Sequence, residues 1–188
     1  MKKLIFILFL GIAIGTYGQT TFYTNAPNAS VSTAGGLRVT LNSYTETLQT
    51  LIAHASQYFF WSTDDGVPGL STFTPGTVTV YFSAFTDATS TLTAKVRVHR
   101  VNSAGVIQQS TAYTSSQYLN AFSVSKLTFS VTPSWTSGGY DDRFVVEIAI
   151  QNATDSNRVL VWRYGGNETY VNTPFTGIAT SRRVFIIN

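Results

Sequence analysis

The chain has 188 residues, no cysteine, and twelve basic against nine acidic side chains. Disulfides, thiolate metal sites and a cysteine nucleophile are therefore excluded. Beyond Lys2-Lys3 at the start, lysine and arginine are scattered, with only Arg182 and Arg183 adjacent, which argues against a nucleic-acid partner.

The chain opens "MKKLIFILFLGIAIGTYGQTT". Lys2 and Lys3 form a positive start, Leu4 to Ile14 an apolar run broken only by Gly11, and Thr16 and Gly18 supply small residues before Gln19. These are the three parts of a secretory signal peptide, expected at 1–18, with one domain at 19–188. The apolar run is shorter than the roughly 20 residues that cross a bilayer, and no later stretch approaches that length, so no stable membrane span is expected after cleavage. Losing Lys2 and Lys3 leaves ten basic residues against nine acidic, close to neutral. The expected location is secreted or cell surface.

In "NSYTETLQTLIAHAS", residues 42–56, Leu48, Leu51, Ile52 and Ala55 have helical spacing, and Ser43 with Glu46 has the form of a capping box. Thr45, Thr47 and Thr50 favour a strand through their restricted rotamers. A short helix and a strand both stay open here. "QYFFWSTDDGVPG" follows at 57–69. "QYFFWS" reads as a strand and "TDDGVPG" as its exit turn, since Val67 precedes Pro68 and Gly69 lets the turn finish.

Three runs then alternate with period two. Val78, Val80, Phe82 and Ala84 share a face, as do Leu92, Ala94, Val96 and Val98, and then Phe144, Val146, Ile148 and Ile150. Each reads as a strand with one side in a core. The phase shifts between Phe122-Val124 and Leu127-Phe129-Val131, as a bulge near Ser125-Lys126 or a separate short strand would produce. Turn signals at "TDATS", "NSAG", "TPSWTSGGYDD" and "QNATDSN" separate these runs. About ten short strands imply an all-β, two-sheet antiparallel β-sandwich, of jelly-roll type if the final "RRVFIIN" returns beside an early strand.

No catalytic set is expected. His99 falls on the face of Lys95 and Arg97, which reads as solvent-facing, and no G-x-S-x-G or Walker motif occurs. Glu147 is the only acid inside a strongly alternating strand, whereas a glycoside hydrolase needs two facing carboxyl groups. The acidic doublets Asp64-Asp65 and Asp141-Asp142 are the metal candidates: no cofactor is required, but a calcium ion in one loop is compatible with their oxygens. Trp61, Trp135, Trp162 and Tyr164 are the candidate sugar-binding aromatics, with core packing the more common use of any one of them. Sequons occur at Asn28, Asn152 and Asn167.

The leading expectation is a non-enzymatic protein with a structural, assembly or adhesive role at a surface, its partner a second copy or a surface array. The alternative is a carbohydrate-binding module with a glycan partner. A glycoside hydrolase ranks third.

Overall fold

The computed structural model describes residues 20–27, 34–38, 43–63, 76–135 and 142–174. Among them there is no helix; twelve strands form two packed sheets joined at one corner. β5 (Val78–Thr86) is the spine of the first sheet. β9 (Ser125–Val131) pairs along one of its edges, and β11 (Arg158–Tyr164) and β12 (Tyr170–Thr173) lie end to end along the other. β3 (Thr45–Leu51) extends the sheet beyond β11, and β1 (Thr20–Thr24) extends it beyond β12.

The second sheet centres on β10 (Arg143–Asn152), between β4 (Ser56–Ser62) and β6 (Leu92–Val101). β7 (Ile107–Ser110) and β8 (Gln117–Tyr118) share the outer edge of β6. β2 (Gly35–Arg38) is the corner: antiparallel to β1, parallel to β4. Most connections cross from one sheet to the other, as in a jelly roll. β12 beside β1 supplies the expected late return to an early strand, while "RRVFIIN" lies outside the described residues.

The three alternating runs become β5, β6 and β10, and the inner face of each is fully buried in one core shared by both sheets. Removing such Val, Leu, Ile and Phe side chains from water stabilises by roughly 1.5–3 kcal/mol each. Phe59 stands among three other aromatic rings: its centroid lies 4.7 Å from that of Trp162, 6.2 Å from Trp61 and 6.3 Å from Phe82. Close interlocking of this kind fixes how the two sheets face each other.

Two alternatives that the sequence left open are decided. The segment with helical spacing forms β3, because its threonines suit a strand that can pair with β11. Leu48 and Ile52 are 66% and 61% exposed, so the spacing that suggested a helix does not mark a buried stripe. The phase shift before β9 is a break between separate segments, not a bulge at Ser125-Lys126. Ala121 bridges Thr86, Phe122 turns at a φ of 62°, and regular pairing resumes at Ser125.

β11 and β12 are in effect one interrupted strand. Arg163 pairs with Ser83 and Tyr170 with Tyr81, so residues 164–169 stand opposite the single residue Phe82. Gly165 and Gly166 take φ values of 77° and 53°, which the missing Cβ permits. Thr24 Oγ1 accepts from Gly165 N at 3.0 Å and donates to Thr169 O at 2.8 Å, and Ser83 Oγ donates to Glu168 O at 2.7 Å. This interruption separates the pairing of β12 with β1 from that of β11 with β3. Trp162 and Tyr164 are thereby held near the outer edge of the first sheet.

Candidate functional site

In the β3–β11 pair, Leu51, Gln49, Thr47 and Thr45 stand opposite Arg158, Leu160, Trp162 and Tyr164. Directly opposed residues project to one face. Leu160 and Trp162 point into the core, so β3 turns Leu51, Gln49 and Thr47 inward with them. Along that face β3 changes from apolar to polar, and the core opens into a groove of about 390 Å³. Thr47, Gln49, Gln57, Phe59, Trp162 and Tyr164 line it, with Ala26 and Pro27 contributing from beyond β1.

The polar wall is tied together across the corner between the sheets. Gln49 Nε2 donates to Gln57 Oε1 at 2.8 Å, and Gln57 Nε2 donates to the Tyr58 carbonyl at 3.2 Å. The pair still offers the Gln49 Oε1 acceptor and a second N–H on each amide. The connection from β3 to β4 beside this wall is anchored by buried Asn152. Its Nδ2 reaches the carbonyls of Leu51, Ile52 and Ser156, and its Oδ1 accepts from Thr154 N and Oγ1.

Of the four aromatic candidates, the structure brings two to this groove. Trp162 is 5% exposed and packs on Phe59, yet it lines the groove, and its buried Nε1–H has no hydrogen-bond partner. Tyr164 is half-buried beside it. Trp61 is fully buried and donates from Nε1 to Asn25 O at 2.7 Å, and Trp135 is buried as well. Neither presents a ring face to solvent, because the inner faces of both sheets are closed around them, so both are corrected from platform to core.

Asp64, Asp65 and Asp141 lie outside the described residues. Asp142 is buried, with Oδ2 3.2 Å from Arg100 Nε. Among the described residues no group of three His, Asp or Glu side chains is placed to hold a metal ion.

A second polar cluster sits on the outer face of the second sheet, where sequence reasoning put solvent. His99 is completely buried and Glu147 is 1% exposed. The cover comes from residues 111–116, between β7 and β8. Thr111 and Thr114 each donate from backbone N to β6 (Val98 O, 3.0 Å; Val96 O, 2.8 Å) and accept through the side-chain oxygen (from Val98 N, 3.1 Å; from Val96 N, 3.0 Å). Their hydroxyls stand in for the carbonyls of a regular ladder. The main chain between them is free to lift, and the Tyr113 ring comes within 4.4 Å of both Lys95 Nζ and Arg97 Cζ.

The Tyr113 hydroxyl donates to Glu147 Oε1. Glu147 Oε2 takes Arg97 Nε at 2.8 Å and His99 Nε2 at 2.7 Å. Burial opposes ionisation of Glu147, but hydrogen bonds from His99, Arg97 and Tyr113 outweigh it and hold the pKa at about 2. Burial, then the bond to Glu147, pushes the Tyr113 phenol up.

No family model and no curated protein sequence matches the chain. Solved structures are similar to it in shape. A CocE/NonD family hydrolase from Staphylococcus aureus matches over 82% of this chain with a TM-score of 0.54 and 9% identity. The chain spans only 36% of that protein's length. The CBM36-1 domain of a multidomain xylanase from the hindgut metagenome of Trinervitermes trinervoides matches more loosely. Its TM-score is 0.35 at 8% identity, over 83% of this chain and 97% of that domain. A family 16 carbohydrate binding module-2 gives 0.34 at 12% identity, over 79% and 85% of the two chains. The likeness is one of fold.

Proposed function

We propose that this chain is an exported β-sandwich that holds a glycan in the groove between β3, β4 and β11. The observation that carries this reading is the lining: paired glutamine amides and a threonine beside the aromatic rings of Trp162 and Tyr164. Sugars present hydroxyls at their edges and C–H groups on their faces, so they suit a lining that combines amides with aromatic rings. The volume lies within the roughly 300–1,000 Å³ of ligand clefts. Export rests on the leader's three-part pattern.

Oligosaccharide arrays followed by calorimetry on the mature chain test the reading. Binding should vanish in a Q49A/Q57A double variant while the melting temperature stays near that of the wild type. Binding that survives this double change, or no retention of any oligosaccharide, refutes it.

The surface-assembly reading keeps one supporting observation. On the outer face of the first sheet, Tyr81 stacks on Tyr170 at 4.3 Å and Tyr23 lies 6.4 Å from Tyr170, with Lys126 over the Tyr170 ring. A row of half-exposed tyrosines suits contact with a second copy. Sedimentation across a wide concentration range tests it, and a chain that stays monomeric throughout removes homomeric assembly.

A further inference from the structure

Ser110, His99 and Glu147 form a relay that the groove does not use. His99 Nδ1 lies 2.7 Å from Ser110 Oγ, and His99 Nε2 lies 2.7 Å from Glu147 Oε2. A carboxylate only accepts hydrogen bonds, so the Nε2 proton belongs to the imidazole. In the neutral ring Nδ1 is then the acceptor, and the Ser110 hydroxyl donates to it. The geometry points to Ser110 as a nucleophile toward short-chain carboxylic esters, with His99 as its general base and Glu147 as the positioning residue.

The fold supplies each part for a separate reason. His99 and Ser110 are cross-strand partners on β6 and β7, which brings their side chains to one face. β10 places Val145, one row across, opposite His99, and Glu147 lies two residues further along the same face. Phe60 lies 6.5 Å from the imidazole, and neither His99 nor Glu147 is open to water. Arg97 and Tyr113 also donate to the carboxylate, so Glu147 has a fixed orientation from which to hold the ring. Only Ser110 is exposed, on an edge strand whose four residues all face solvent. Its neighbours Gln108 and Gln109 offer nothing apolar to hold a long acyl chain.

Ser110 Oγ attacks the ester carbonyl carbon as its proton passes to His99 Nδ1. The carbonyl re-forms, the C–O bond to the alcohol breaks, and His99 returns the proton to the departing alkoxide. Acylation removes the hydroxyl hydrogen bond to Nδ1, and a water that takes up that bond attacks the acyl carbon, giving its proton to Nδ1. His99 passes that proton to Ser110 as the carboxylic acid leaves. The sum is ester plus water to acid plus alcohol, with no oxidant or reductant.

The test uses the full mature chain and a fluorophosphonate, read by intact mass and peptide mapping. One adduct is expected, on the peptide that contains Ser110, absent from S110A and from chain unfolded in urea. The labelling rate should fall by roughly 10²–10⁴-fold in H99Q, the range that a positioned general base contributes. No adduct, an adduct that persists in S110A, or an unchanged rate in H99Q overturns the proposal. Should H99Q not fold, S110C gives the protein a single thiol, since the native chain has none. Beside His99 that thiol should alkylate at pH 6 at least tenfold faster than the same thiol in unfolded chain. An ordinary cysteine profile overturns the proposal as well. The glycan reading stands or falls separately, because Gln49 and Gln57 take no part in this chemistry.

Discussion

Acidification from pH 7 to 2 removes a stabilising charge from inside the second sheet, and Glu147 fixes where in that interval the loss falls. A solvated glutamate titrates near 4.5, whereas the folded Glu147 carboxyl is held at about 2 by its hydrogen bonds from His99, Arg97 and Tyr113. The unfolded chain takes up this proton first. The contribution is therefore complete above about pH 4.5 and declines as pH falls toward 2. At 1.36 kcal/mol per pKa unit the gap corresponds to about 3 kcal/mol. Glu147 is 1% exposed, so solvent screening removes little of it.

Urea unfolding at stepped pH, for the wild type and for E147Q, measures that contribution. Glutamine has no proton to gain, and contributions from groups common to both proteins cancel. Between pH 5 and 2 the wild type should lose about 3 kcal/mol more than E147Q. Parallel stability curves over that interval would refute the charge assignment.

Three further outcomes follow from named contacts. W162A should cost roughly 3–5 kcal/mol in urea unfolding, because the indole is buried against Phe59 at the groove floor; a loss below about 1 kcal/mol would mean the ring is not part of the core. Asn152 should carry no glycan in a glycosylating host, since its amide is buried and bonded at both ends, whereas Asn167 is exposed; a glycan mapped to Asn152 in folded protein would contradict the structure of the β3–β4 corner. Exported protein should begin at Gln19, as the small residues Thr16 and Gly18 direct, and N-terminal sequencing that returns Met1 would sink the export assignment.

The alternation in β5, β6 and β10 was legible because each has an inner face made only of apolar side chains, and packing obeys that pattern. β3 was not. Its exposed Leu48 and the exposed Ile52 just after it mimic a helical stripe, while its inner face carries Thr47 and Gln49, polar because the core ends there. Trp162 and Tyr164 could be picked out by type. Their polar partners could not, since Gln49 and Gln57 meet across a corner between strands of different sheets. Period-two reading assigns residues to faces within one strand and is silent about neighbours in another sheet.

The misplaced solvent on the second sheet had a readable signal. Period two correctly put Glu147 on the face away from the core, together with Val145 and Ala149, but wrongly took that face to be wet. "FVVEIAI" is a nearly continuous apolar run, the pattern of a strand covered on both sides. In such a run a single glutamate is a buried charge, and a buried charge needs donors on the adjacent strands. Arg97 and His99, two residues apart on the same face of β6, are of the right types to supply them. What the sequence alone does not reveal is the cover. That depends on Thr111 and Thr114 replacing main-chain carbonyls with hydroxyls, which lets the chain lift and bring Tyr113 down onto the carboxylate.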